Sequence, residues 1–227
     1  MTELRTSDTA EGTTAIPSAP AAETGAAPGA SPNPAVLGLI AFSLGGTVLG
    51  LSLLGFVSAP AQGGSVMPIV YAATGLGVLI TTIWAAALGQ TFVAAVFGAF
   101  SGFWLSYAAF VLGLSHNWYA IPPAQVPHSV AQFLIAWAIV ILMLDVVSVY
   151  IPSSFTLILS SALVAVVLLV IANLTGSTVL PKVAGVFILL FSAVGFYDFL
   201  ATGIESVGGP ALSLGPSLRS LLARGSR

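Results

Sequence analysis

The chain has 227 residues, of which 57% are hydrophobic and only 5% charged, where a soluble domain carries roughly 25% charged residues. It cannot clothe itself for water. The net charge of −2 argues against a nucleic-acid partner, and the absence of cysteine excludes a disulfide framework or a thiolate metal site. The charges are also uneven: Glu3, Arg5, Asp8, Glu11 and Glu23 crowd one end, Arg219, Arg224 and Arg227 the other, and only Asp145, Lys182, Asp198 and Glu205 lie between. No charge interrupts the run from Thr24 to Leu144, which is long enough to cross a bilayer several times at about 20 residues per helix.

Residues 1–31, rich in Ala, Thr, Ser, Pro, Gly and Glu, cannot bury enough apolar surface to offset the entropy of ordering, and are expected to form a disordered tail. They also lack the basic start and apolar run of a secretory signal. Residues 32–207 read as an all-α membrane domain, a bundle of six transmembrane helices, and 208–227 as a C-terminal cytoplasmic tail. Clusters of Pro, Gly and polar residues divide the membrane region into helices near 34–57, 66–88, 91–114, 129–150, 154–174 and 182–205. Asn33 before Pro34 reads as an N-cap, and Thr91, Ser129 and Ser153 as further caps. Gly46 and Gly50 in the first span, and Gly98 and Gly102 in the third, have the spacing that lets membrane helices approach closely. The apolar runs do not alternate in and out, which excludes a spanning β-barrel. An even number of spans puts both termini on one side, and the C-terminal arginines assign that side to the cytoplasm.

Enzyme chemistry finds no support. His116 and His128 fall in one loop and read as solvated, no metal-ligand cluster appears, and no phosphate-cradling glycine loop exists. Neither a metal nor a cofactor is expected. Asp145 and Asp198 are the notable intramembrane groups, at a shared depth of about 5 to 7 residues from the ends of their helices. They fit either proton coupling or a solvated headgroup position. In the third span Phe92, Phe97, Phe100, Phe103 and Trp104 interleave with Gly98, Ser101, Gly102 and Ser106. That mixture suits a pore with a dry constriction, with Phe97, Ser101, Trp104 and Ser106 along it, and equally suits rings and glycines interlocking between helices.

Asn33-Pro34-Ala35-Val36-Leu37-Gly38-Leu39, followed by Phe42, resembles the Asn-Pro-Ala-Pro-Leu-Gly-Leu signature opening the first helix of the acetate uptake transporter family, the SatP-like succinate-acetate permeases and their fungal relatives. Gly89-Gln90-Thr91-Phe92 and the run from Phe97 to Ser106 resemble that family's third-helix motifs, with weaker likeness at Ala131-Gln132-Phe133-Leu134 and Asn173. The chain departs from the pattern at Val36, Gln90 and Phe100, and at Ala85, which falls about where the family carries a glutamate.

The resemblance implies a hexamer of six-helix protomers in the cell membrane. Each would carry acetate, or a related carboxylate such as succinate, through its own path, generally by symport with protons. It implies substrate contacts at Asn33, Pro34, Leu37 and Gly38, joined by Gln90 and Thr91 at the start of the third helix, and a gate formed by Phe42 and Phe100. Two other readings stay open, a channel for another small solute such as ammonium and a non-transporting membrane scaffold.

Overall fold

The computed structural model describes residues 31–57 and 64–225. The tail expected over residues 1–31 therefore lies, all but its last residue, outside the described residues. Among the described residues six helices are long and apolar enough to cross a membrane: α1 (Ala35–Leu53), α2 (Ile69–Ala87), α3 (Thr91–Ser115), α4 (Val126–Ser148, entered through a 3-10 turn at Pro123–Gln125), α5 (Ser153–Thr175) and α6 (Leu180–Ser206). A short helix, α7 (Leu218–Gly225), follows. The molecule is a multi-pass membrane bundle, and its all-helical form has a plain cause. In hydrocarbon a backbone must satisfy its own N–H and C=O groups, which continuous helices do.

The spans end where the backbone can reverse. Gly89, at φ 70, and Gly176, at φ 68, adopt the left-handed conformation that closes α2 and α5. The first part of α2, Ile69–Gly75, is a π-helix, wider than an α-helix. At its end the Gly75 carbonyl accepts a hydrogen bond from the buried Ser101 hydroxyl of α3 at 3.1 Å, joining the two helices.

Several boundaries differ from the sequence expectation. α1 stops at Leu53. α4 and α6 begin earlier, because Pro127 and Pro181 sit in their first turns, where a missing N–H costs nothing. Ser129 is consequently inside α4 and caps nothing, and His128 belongs to the first helical turn instead of the loop. Neither Thr91 nor Ser153 caps its helix through its side chain; Thr91 reaches only the Gly89 carbonyl, at 3.5 Å. Asn33 does act as a cap, its Oδ1 accepting the Ala35 N–H at 3.0 Å. At α6 the Ser177 hydroxyl plays this part for Leu180, at 3.3 Å.

Packing is unequal around the bundle. α1 lies closely along α6, α2 along α3, and α5 against both α4 and α6. The glycines of the α1–α6 seam permit this approach: a Cβ on Gly185 would stand 3.0 Å from the Gly50 carbonyl oxygen. By contrast α1 approaches α3 at few places, and α3 approaches α4 at few. Side chains, mostly aromatic, fill what the backbones leave. On the outside, Ile80, Ile83, Ile139 and Val146 are exposed, as a hydrocarbon-facing surface requires.

Candidate transport passage

The starts of α1 and α3 and the end of α6 meet at one face. Gln90 Nε2 donates to the Pro32 carbonyl at 3.3 Å, tying the two helix starts together. A polar cavity of about 520 Å³ opens there, lined by Ser31, Pro32, Asn33, Gln90, Thr202, Glu205 and Ser206. Of the substrate-contact residues expected from sequence, Asn33 and Gln90 line this mouth. Pro34 is buried behind it, and Gly38 lies under the Phe97 ring, which a Cβ at that position would strike. Leu37 is half-buried and Thr91 exposed, and neither lines the mouth or the cavities beyond it.

Near the same face, but sharing no lining residue with the mouth, lies a purely apolar cavity of about 300 Å³ between α1, α3 and the start of α5, walled by Ala35, Leu39, Phe97, Phe155 and their neighbours. Beyond it, toward the opposite face, is a second cavity of about 210 Å³. Its wall is also mainly apolar, but includes Trp104, Tyr107 and Asn173. Phe42 and Phe100 line both cavities. Their rings meet edge to face with centroids 4.7 Å apart, and both are nearly fully buried. Phe191 of α6 closes the other side of Phe42 at 4.9 Å, and Trp104 stands at 6.2 Å.

This arrangement follows from helical periodicity. Ala35, Leu39, Phe42, Leu49 and Leu53 form one stripe of α1, and Val93, Val96, Phe97, Phe100, Trp104, Tyr107, Val111 and Leu114 one stripe of α3. The two stripes face the gap that the backbones leave between the helices. Trp104 is 1% exposed and its indole N–H has no partner among the described residues, an uncommon state for a buried donor.

Not every residue expected along the pore lies there. Ser101 turns to the Gly75 carbonyl of α2, and Ser106 donates to the Phe103 carbonyl of its own helix at 3.1 Å; both stand outside the lining of the two cavities. The period of 3.6 residues places positions 101 and 106 off the stripe that holds 97, 100 and 104. Conversely, sequence reasoning missed Phe191. Nothing in the local sequence of α6 marks it, and only the packing of α6 on α1 carries it to Phe42.

The two carboxylates also differ from expectation. Asp145 sits three residues before the end of α4 at Ser148, and Asp198 eight before the end of α6 at Ser206. At 1.5 Å per residue these are depths of about 5 and about 12 Å, so the expected shared depth is absent. Asp145 is half-buried and receives the Ser160 hydroxyl at 3.0 Å on both oxygens. Asp198 is fully buried, and neither oxygen has a hydrogen-bond partner among the described residues. Neither aspartate lines the passage.

A membrane-spanning helical bundle with a polar mouth and two apolar chambers parted by aromatic rings has the form of a small-solute permease or channel. Residues 20–207 match the GPR1/FUN34/yaaH family, and the chain belongs to it; this is the family to which the first-helix and third-helix motifs point. Among curated relatives it is 30% identical over 179 residues to Ammonia transport outward protein 2 of Saccharomyces cerevisiae, covering 74% of this chain and 60% of that one. It is 28% identical over 179 residues to Meiotically up-regulated gene 86 protein of Schizosaccharomyces pombe, covering 74% and 57%. The chain thus spans somewhat over half the length of these relatives. A solved structure described as the bacterial acetate channel SatP superposes with a TM-score of 0.72 at 22% identity, covering 82% of this chain and all of that one, which establishes a common fold.

Proposed function

We propose that the protein is a permease for acetate or related short carboxylates, succinate being the larger candidate, with transport coupled to protons and the aspartates as coupling groups. The observation that carries this reading is the pair Phe42 and Phe100, which stands between two greasy chambers behind a mouth furnished by Asn33 and Gln90. The likeness of the fold to an acetate channel supports the choice of substrate. A full charge in a dry apolar chamber is costly, whereas a protonated weak acid has no charge to desolvate. A carboxylate received at the mouth and passed as its neutral acid would carry a proton with it. In this reading the protein is a hexamer with a passage in each protomer, both termini face the cytoplasm, and residues 32–207 are the transporting domain.

A second reading is passage of ammonia, favoured by the ammonia transport named for a fungal relative and by the wholly apolar first chamber, which suits a small neutral molecule. Uptake of radiolabelled acetate and of a labelled methylamine into proteoliposomes, with and without an inward proton gradient, separates the two. The acetate reading expects gradient-stimulated acetate uptake, reduced by Asn33→Ala and altered by Phe100→Ala. Acetate flux equal to that of protein-free vesicles would overturn it.

A further inference from the structure

A buried carboxylate without a partner stands outside the passage and asks for a cause. Asp198 has no exposed surface, and both its oxygens are unsatisfied among the described residues. The hydroxyl of Ser154, at the start of α5, neighbours that carboxylate, and it too is buried without a partner of good hydrogen-bond geometry among the described residues. A third orphan, the Ser43 hydroxyl of α1, packs against Gly195, one turn before Asp198 on α6. Three helices therefore contribute unsatisfied oxygens to one region, and among the described residues no cationic side chain reaches them.

The surroundings set the chemistry of what fits. The backbone on either side is accounted for: the Thr202 hydroxyl takes the Asp198 carbonyl at 2.8 Å, and the Ser154 N–H donates to the Leu214 carbonyl at 3.2 Å. The charged and titratable groups nearby are committed or turned elsewhere. Asp145 of α4 is held by Ser160, Glu205 lies at the mouth, and the Tyr197 hydroxyl donates to the Ser213 carbonyl at 2.7 Å. The Arg219 guanidinium rests over the Tyr150 ring at 5.1 Å. The unfilled groups are thus one carboxylate and two hydroxyls, oxygens able to coordinate a small cation, while the carboxylate would repel an anion. Neighbouring residues, though not the carboxylate itself, reach open space on two sides. Thr202, one turn along α6, lines the mouth, and Ser154 lines a groove of about 590 Å³ between α5, α6 and the segment Ser213–Gly215.

We propose that Asp198 and Ser154 form a binding site for a monovalent cation, a proton or sodium, beside the substrate passage and separate from it. Its use in coupling rests on the permease reading above; its existence does not. The site would bind its cation from the face at which the mouth opens and leave the apolar chambers dry. Asp145, already hydrogen-bonded, is not part of it.

Two measurements on the purified full chain decide the matter without any transported solute. Infrared difference spectra between mildly acid and mildly alkaline buffer report a protonated carboxyl, and thermal unfolding in sodium chloride against choline chloride at equal ionic strength reports sodium. The expected result is one of these signals in the native protein, lost in Asp198→Asn and kept in Asp145→Asn. Ser154→Ala should move its midpoint by about one pH unit, or weaken apparent sodium affinity by about tenfold. Absence of both signals from the native protein overturns the proposal, and so does a signal that survives Asp198→Asn. A native signal in a protein that moves no acetate down any gradient would leave the cation site standing and remove the permease reading instead.

Discussion

Phe42 and Phe100 come from helices whose backbones hardly touch, yet their rings pack edge to face with centroids 4.7 Å apart and belong to the walls of both apolar chambers. A partition built of two side chains, and not of backbone, can be opened by a rotamer change or by truncation.

Phe100→Ala should therefore raise solute flux by about tenfold or more, the equivalent of removing about 1.4 kcal/mol of barrier, and should reduce discrimination by solute size. Burial predicts a stability loss of about 3 to 5 kcal/mol. Efflux from proteoliposomes and thermal unfolding in detergent check the two parts. A slower efflux from well-folded variant would remove the gate. Phe191→Ala, which widens only the second chamber's side, should raise flux less.

Asn33 has two separable duties, the cap of α1 and the polar wall of the mouth. Asn33→Ala should lose about 1 kcal/mol of stability and reduce uptake together. Asn33→Asp keeps a capping oxygen but adds a negative charge at the mouth, so stability should return while uptake of an anion stays low. Recovery of both by the aspartate would mean that only the cap mattered.

Ser101 should prove structural. Losing its bond to the Gly75 carbonyl costs about 1 kcal/mol, and because the hydroxyl faces α2, Ser101→Ala should leave acetate flux within error of the native rate. A large flux change at unchanged stability would return Ser101 to the passage.

The α1–α6 seam should tolerate no added bulk. Gly50→Val drives side-chain atoms toward Leu189 and the Gly185 carbonyl, costing at least the roughly 1 to 3 kcal/mol of an overpacked core. Gly64→Ala, where no described atom lies within 4 Å of the added carbon, serves as the control. The fraction of monodisperse protein on size exclusion should fall for the first and hold for the second.

Transport pH dependence has opposite signs for the two solutes. If neutral acetic acid is what crosses, uptake at fixed total acetate should fall about tenfold for each pH unit above the acid's own pKa. If neutral ammonia crosses, flux at fixed total ammonium should instead rise about tenfold for each unit by which the pH climbs toward the pKa of ammonium. Initial rates across a pH series, native against Phe100→Ala, distinguish them.

Membrane residence, six spans and the family were legible in the chain itself, because hydrocarbon imposes a length and an apolarity on each helix that any reader of residues 34–205 can count. The cap at Asn33, the close-packing glycines Gly46 and Gly50, and the meeting of Phe42 with Phe100 were legible too, the last through the resemblance. Tertiary structure alone decided the rest. Whether a serine on an apolar helix faces a cavity or a neighbour depends on rotation about the helix axis, and in a membrane span every face is apolar, so composition carries little record of that rotation. For this reason Ser101 could not be told from a pore residue, Phe191 went unseen, and Asp145 and Asp198 looked alike, although packing gave one a hydrogen-bond donor and left the other with none among the described residues.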